Sequence, residues 1–547
     1  MKYLMGIAIG PVQEFIAAAR RTADLTAGSR LLVETAQAIA QVLENPNHNA
    51  VLIFPADSRT TAPNKLLCIV EGEPCEIART AKEAALQHLR TQWKEAYNKR
   101  MKPEVQKLVD TELVDWQLDN FLEFYAAWVP LEGTQYHKAR ERLERIIAGR
   151  KALRNFQQPY KYPRHPKSPL DPSMDSVFYT EAHGKGFSAP DAAQKDPQLR
   201  LKPRETLDAI SLIKRVLGQH GAPSTDKIAA RAIEFILPQE ALHDYHTLLE
   251  RQDQPGVDHF GDLLFQKNWR QQGANLSDAD YDEIEQCVIR LQHALRERGI
   301  PQEVLSYYAI LVADGDRMGA TLNQLQTPEQ HRSFSKQVAH FAERAKDIVE
   351  NHRGHLVYCG GDDVLALLPS NRALECAYTL RQNFEQTLAD VMPNGSTATL
   401  SAGIAIVHAM ENLQVAIGWA REAEQQAKRT RDALAVIRQP RSGGRNCYSA
   451  PWSRYHEWEQ WVNAFRHGLA DKLPYELRQL AQEYRAINPP VEVLRAEATR
   501  IFKRKHKPDE ALTIPEWIRS VDALDEFAEM LLIARFLASY IPKETRR

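Results

Sequence analysis

The stretch Leu356-Val357-Tyr358-Cys359-Gly360-Gly361-Asp362-Asp363-Val364-Leu365-Ala366-Leu367-Leu368-Pro369 sets two short apolar runs around Gly-Gly and two adjacent carboxylates. Gly-Gly between β-rich segments predicts a tight hairpin, because such turns often need positive φ. Adjacent strand residues point to opposite faces, so Asp362 and Asp363 do not both stack on a core. A carboxylate pair at a hairpin mouth suits a cation. Mg2+ takes hard oxygen ligands, usually one or two carboxylates completed by substrate phosphates. Taken alone, the four turn residues slightly favour a solvated, Asp-bearing hairpin.

The flanking sequence shifts that balance. Tyr307 to Ala313 is a strand-like run ending in Asp314-Gly315-Asp316. A helix follows it, opened by Thr327-Pro328-Glu329 with Pro at the first helical position and closed by Gly354. After the hairpin come a helical stretch, Asn371 to Leu388, and a strand, Ala398 to Val407, interrupted by Gly403. The order β-α-β-β-α-β is the ferredoxin-like arrangement, in which the first strand and the hairpin strand are central neighbours. Asp314 then faces Asp362 across a shared metal, and three acidic residues converging from two strands match a two-metal layout for phosphoryl or nucleotidyl transfer.

Tyr-Cys-Gly-Gly-Asp-Asp after a strand ending Asp-Gly-Asp resembles the palm domain of nucleotide cyclases and polymerases. More narrowly, it resembles the large subunit of type III CRISPR effector complexes of the Cmr branch. The N-terminal stretch Gly10-Pro11-Val12-Gln13-Glu14-Phe15-Ile16 agrees, as do Ala19-Arg20-Arg21-Thr22, Asp24-Leu25 and Ala27-Gly28-Ser29. So do Ala62-Pro63-Asn64-Lys65, Leu207-Asp208-Ala209-Ile210 and Lys214-Arg215. The resemblance spans residues 1 to about 450.

It implies an α+β chain with two ferredoxin-like palms plus helical domains, working in the cytoplasm with other Cmr proteins, a CRISPR guide RNA and target RNA, and with no membrane. It implies an ATP-using nucleotidyltransferase that is switched on by target RNA and makes a cyclic oligoadenylate or another ATP-derived conjugate. Asp314, Asp362 and Asp363 would be the catalytic and metal-binding carboxylates for two Mg2+ or Mn2+ ions. Gly315, Gly360, Gly361 and Lys428 would meet the nucleotide, Lys428 by reaching the triphosphate. Two other readings stand beside it: a catalytically silent RNA-binding scaffold, and a stand-alone GGDEF-like cyclase. The second fits the hairpin but not the N-terminal matches.

The 547 residues divide into a first palm over 1–165, a linker and helical region over 166–300, a second palm over 301–450 and a helical domain over 451–547. In the first palm the hairpin Phe54 to Leu66 offers Asp57 but no acidic pair, so this half reads as degenerate. There the helices are expected over Val12 to Asp24, after Gly28-Ser29, over Cys75 to Lys99 and over Tyr136 to Phe156. The chain opens on the palm strand itself, so the HD nuclease domain that relatives often carry is expected to be missing. His243-Asp244 lacks the further ligands such a nuclease needs and reads as a surface pair. A Pro- and Gly-bearing middle region suggests palms that drift relative to one another until RNA holds them closed.

Charge is balanced, with 70 basic and 71 acidic side chains, so any contact with nucleic acid must come from local patches or through partners. The tract Gln157 to Lys167, with Tyr160, Lys161, Tyr162 and Arg164, and the loop Arg438, Arg441, Ser442-Gly443-Gly444, Arg445 are two such patches, each also explicable as solvated loop. Six scattered cysteines without a C-x-x-C pair suit a reducing cytoplasm and argue against the structural zinc that some relatives hold between their palms. Trp452, Trp458, Trp461, Phe527 and Phe536 supply a C-terminal helical core.

Overall fold

A computed structural model describes residues 1–542 apart from 47–49, 60–63, 132–134, 154–164, 180, 184–185, 197–198, 200, 203–204, 219–221, 253–276 and 506–511. The Tyr160, Lys161, Tyr162 and Arg164 portion of the basic-aromatic tract lies outside the described residues; Lys167 is ion-paired to Asp175 at 2.7 Å.

The first sheet joins β1 (Lys2–Gly10), β2 (Ala50–Phe54), β3 (Lys65–Glu71) and β4 (Glu123–Pro130) in the order β2-β3-β1-β4. Helices α1 (Thr22–Leu43) and α2 (Pro74–Glu95) lie between its strands and α3 (Tyr136–Ala152) follows them. The order is ferredoxin-like, as the sequence predicts. Strand alternation assigns the faces: Met5, Ile7 and Ile9 share a core with α1 and α2, whereas Leu4 and Ala8 meet Tyr136, Leu143 and Ile147 of α3.

Two expected boundaries differ. The helix expected over Val12 to Asp24 is a short one, Gln13–Ala17, then a break, then α1. The cause is a buried lysine. Lys214, on α4 (Ala209–Leu217), donates from Nζ to the carbonyls of Phe15 at 2.7 Å and Ala18 at 2.6 Å, satisfying oxygens that a continuing helix would use. Gly28-Ser29 does not start a helix but lies inside α1. A Cβ at residue 28 would stand 3.1 Å from Lys214 Cε, so glycine makes room there for the lysine stem.

Beside it, buried Arg215 is held by Asp24, with Nε 2.9 Å from Oδ1, by Glu205 at 2.9 Å and by the Leu199 carbonyl at 2.9 Å. Asp208 caps α4 by accepting from Ser211 N at 2.9 Å. Thus Asp24, Asp208, Lys214 and Arg215, which carry part of the family resemblance, are architectural. The core of the first sheet runs past residue 165 into α4.

The second sheet has the order β10-β9-β8-β5-β7-β6, built from β5 (Tyr307–Gly315), β6 (His355–Cys359), β7 (Val364–Pro369), β8 (Leu400–His408), β9 (Ala433–Gln439) and β10 (Asn446–Pro451). β5 lies between β7 and β8, antiparallel to both. Its helices are α5 (Pro328–Asn351), α6 (Ala373–Leu388) and α7 (Leu413–Thr430). Thr327 caps α5 by accepting from Gln330 N at 3.2 Å, and Gly354 N closes it onto the Val349 carbonyl at 2.9 Å. β10 was not expected; the segment after Arg445 returns to pair with β9 instead of ending as a loop.

The two palms are not loosely tethered. Tyr308, Ile310 and Val312 on one face of β5 and Ala416, Ile417 and Ala420 of α7 belong to the same buried cluster as the first palm's α1, α2 and α4. Around it, Thr26 Oγ1 meets His355 Nε2 at 2.8 Å, Tyr136 Oη meets His331 Nδ1 at 2.8 Å, and Arg332 donates to the Ala56 carbonyl at 3.1 Å. Close-packed interiors resist sliding, so the palms meet through a shared core and not only through the Pro- and Gly-bearing middle region.

The other face of β5 carries Ala309, Leu311 and Ala313 into a second core with α5, α6 and the C-terminal helices. Those are α8 (Tyr455–Arg466), α9 (Leu473–Arg485), α10 (Val491–Lys505) and α11 (Val521–Ala538). Trp452, Trp458, Trp461, Phe527 and Phe536 are all buried in it. Trp452 also donates from Nε1 to the Leu400 carbonyl at 2.8 Å, tying the helical domain to β8. Among the described residues, no helix is long and apolar enough to cross a membrane.

Candidate active site

The acidic turn is built by its glycines. Gly361 has φ 92°, a conformation that side-chain-bearing residues rarely adopt, and Gly360 N–H closes the turn onto the Asp363 carbonyl at 3.0 Å. Gly360 plays a different part: the space where its Cβ would project holds the Tyr358 phenol of this same chain. Asp362 and Asp363 therefore sit in the turn between β6 and β7, half-buried, rather than on a strand.

Register brings Asp314 beside them. Ala313 pairs with Val364 on one side and Asp314 with Ser401 on the other, so β5 ends at the turn. Gly315 allows the approach: a Cβ there would stand 2.9 Å from Asp362 Oδ2. Burial first, and the nearby Asp314 carboxylate second, push Asp362 up to about 7 and Asp363 up to about 6.

Lys428 enters from α7, as expected, and lands on the end of β5. Its Nζ lies 2.5 Å from Asp314 Oδ2 and 3.3 Å from Asp316 Oδ1. It also donates to the carbonyls of Asp314 and Gly315, each at 2.8 Å. Asp316, the second acid of Asp-Gly-Asp, is buried and turned into the fold. It accepts from Ser401 Oγ at 2.8 Å, Thr399 Oγ1 at 2.9 Å and Asp432 N at 2.9 Å. Burial would raise its pKa, but those donors and Lys428 outweigh burial and hold it below the usual carboxylate range. Asp316 anchors the strand end; Asp314 faces the cluster.

Three residues join the site that the sequence reading did not assign to it. Glu424, one helical turn before Lys428, is pushed up to about 7 by burial, with Lys428 pulling it back and Asp314 and Asp363 adding to the rise. It gets there because α7 crosses β8 at Gly403, where any Cβ would collide with the Glu424 amide. Gln13, from the first palm, hydrogen-bonds the Asp363 carboxylate through its side chain. Its carbonyl accepts from Arg421 Nη2 at 2.8 Å. The i, i+4 spacing of Glu424 and Lys428 was visible in the sequence; the reach of Gln13 across the palm interface was not.

The arrangement is a set of oxygen donors with one built-in ammonium. Among the described residues, no three His, Cys, Asp or Glu side chains stand assembled as a metal cage. Asp314 is engaged by Lys428 instead. The donor set nevertheless fits a hard divalent cation, since such an ion needs only one or two carboxylates and relieves the repulsion that raises Asp362 and Asp363. In the first palm, Asp57 accepts from Arg59 N at 3.0 Å and has no acidic neighbour in its turn comparable to the Asp362-Asp363 pair. His243 is exposed and Asp244 is paired with Arg290 at 2.6 Å, which makes the dipeptide a surface helix pair.

Residues 307–435 match the family model for the Cas10/Cmr2 second palm domain, and residues 4–109 match that for the N-terminal region of the CRISPR-associated protein Cmr2. The Cmr subunit Cmr2 of Pyrococcus furiosus is 33% identical over 217 residues, covering 33% of this chain and 24% of that protein. The aligned stretch thus spans about a quarter of the curated relative it matches. Among solved structures, the chain is similar in fold to one from a type III-B Cmr-beta complex in the apo state, with TM-score 0.66, 13% identity, and 99% of this chain and 82% of that chain covered. The same complex bound to cognate target RNA gives TM-score 0.64 at 13% identity, covering 98% and 83%. A Csm1–Csm4 cassette in complex with cA4 gives TM-score 0.50 at 15% identity, covering 97% and 70%.

Proposed function

We propose that this chain, which matches the Cas10/Cmr2 second palm over residues 307–435 and the Cmr2 N-terminal region over residues 4–109, is the large subunit of a type III-B (Cmr) antiviral complex whose second palm performs target-RNA-activated nucleotidyl transfer from ATP. The product is a signalling nucleotide: a cyclic oligoadenylate, in keeping with the cA4 bound to the Csm1–Csm4 cassette, or another ATP-derived conjugate. The observation that carries this reading is the meeting of the Asp362-Asp363 turn with the end of β5 at Asp314, with Lys428 bound to Asp314 beside it.

Asp314, Asp362 and Asp363 are the residues that would hold Mg2+ or Mn2+. When bound, the ions supply positive charge that activates a ribose 3′-hydroxyl and offsets charge on the phosphates. Everything else is work for the chain itself. Lys428 has a flexible stem and a compact charge, so it is able to leave Asp314 for a triphosphate oxygen and free that carboxylate. Gln13 and Arg421 orient Asp363 from opposite palms. The first palm, without an acidic pair of its own, is the wall against which the second nucleotide is held. Its shared core with the second palm gives that wall the fixed geometry that nucleotidyl transfer needs.

Mass spectrometry decides the matter. The purified chain with its partner proteins, guide RNA, target RNA, ATP and Mg2+ or Mn2+ is expected to yield an adenosine-containing product, dependent on target. No product in a target-bound complex would leave the RNA-binding scaffold as the function.

A further inference from the structure

The second palm carries an unassigned basic surface at the other end of its sheet. β5 runs from Tyr307 to the acidic turn, and at ~3.3 Å per residue its start lies roughly 23 Å from Asp314. At that far end a set of basic and aromatic residues gathers. Arg438, the basic residue near the end of β9, lies with its guanidinium 4.3 Å over the Phe536 ring of α11. Tyr307 packs edge-on against the same ring at 5.3 Å and accepts from Arg441 N at 3.2 Å. Arg535 of α11 sits 5.3 Å over the exposed ring of Tyr475, donating to its hydroxyl at 3.1 Å.

What sets this surface apart is missing countercharge. Among the described residues, Arg438, Arg441 and Arg535 have no carboxylate partner, and the Nε atoms of Arg438 and Arg535 are buried without a hydrogen bond. Their neighbours are paired: Arg445 with Glu422 at 2.7 Å, and Arg478 with Glu529. The structure therefore separates the basic loop legible in the sequence into Arg441, which lacks a carboxylate and donates from Nη1 to Met410 Sδ at 3.7 Å, and Arg445, which is ion-paired. Burial lowers the pKa of Arg438, Tyr307 opposes that, and Arg535 lowers it further, as like charges without a mediator must. Half-buried cations in repulsion are an arrangement that an anion relieves.

We propose that Arg438, Arg441 and Arg535, framed by Tyr307 and Tyr475, form a seat for single-stranded RNA on this chain, remote from the acidic turn. Guanidinium forks match phosphate oxygens, and the exposed Tyr475 ring offers a stacking face to an unpaired base, with half-buried Tyr307 at the edge of the surface. The loop Ser442-Gly443-Gly444 is exposed beside them, with Gly443 at φ 98°, so its backbone comes close to a strand without side chains in the way. An acidic protein segment would satisfy the charges but makes no use of the part of the Tyr475 ring left exposed beside Arg535. The proposal does not depend on catalysis at Asp314, Asp362 and Asp363.

The test is fluorescence anisotropy of a labelled single-stranded oligouridine titrated with the full chain across a salt series. Each phosphate contact on a single strand contributes roughly 0.7 to the slope of log affinity against log salt. Arg441→Gln, in an exposed loop that no core depends on, is expected to flatten the slope by about 0.7. Adding Arg535→Gln brings the loss to roughly 1.4, while Arg445→Gln leaves the slope unchanged. The Asp362→Ala/Asp363→Ala chain should bind with the wild-type slope, which separates this proposal from the active-site reading. An unchanged slope in Arg441→Gln and in the double variant overturns the seat. Competition by polyglutamate as effective as that by unlabelled RNA overturns it in favour of an acidic protein partner.

Discussion

Lys428 Nζ is bonded to Asp314 twice, to the side-chain Oδ2 at 2.5 Å and to the backbone carbonyl at 2.8 Å. The lysine thus stands as a counter-ion inside a carboxylate cluster that otherwise repels itself. Any cation that enters must compete with it.

Replacing Lys428 by Met tests that competition. Removing one positive charge within about 3 Å of Asp314 deepens the local negative potential, so Mn2+ affinity measured by electron paramagnetic resonance is expected to rise several-fold. Nucleotide product is expected to fall by at least tenfold, because the triphosphate loses its ammonium partner. Weaker Mn2+ binding in the variant would mean that Lys428 organises the site rather than occupying it.

Alanine at both Asp362 and Asp363 should abolish product while leaving target RNA bound. Because burial and mutual repulsion raise both groups, removing them relieves strain in the metal-free chain. Its thermal midpoint should be equal to or higher than the wild type's. Normal product from this variant would sink the catalytic assignment.

The palm interface carries its own pH dependence. Burial, helped by Arg140 and Arg231 respectively, pushes His331 and His355 down to about 4 from the ordinary 6.5. Between those values the unfolded chain binds more protons than the folded one, so stability rises with pH through the window and is complete above about 6.5. Acidification from 6.5 toward 4 should therefore weaken the fold, and His331→Gln with His355→Gln should flatten that dependence in chemical denaturation. A wild-type profile in the double variant would show that other groups carry it.

Arg215→Met keeps the volume of a buried side chain but strands Asp24 and Glu205 without a cation. Breaking a buried ion pair from one side typically costs about 3–5 kcal/mol. The denaturation midpoint should drop accordingly, with the change concentrated in the first palm by hydrogen exchange. A loss below about 1 kcal/mol would mean water reaches the orphaned carboxylates.

What the sequence by itself determined is local and periodic. Thr327-Pro328 and Gly354 bound α5, and Gly361 turns the hairpin. The Tyr307 to Ala313 run makes a strand buried from Tyr308 onward, because each depends on side chains within a few residues of itself. From the order of those pieces the ferredoxin-like topology follows, and with it the adjacency of Asp314 to Asp362. Tertiary structure alone decided the rest. Gln13 meets Asp363 across hundreds of residues, Asp316 turns inward onto Ser401 and Thr399, and Gly28 yields to Lys214 instead of opening a helix. The two palms became one buried core although the chain between them reads as a flexible middle. Such contacts are set by which surfaces pack against each other, and neither periodicity nor turn chemistry encodes that.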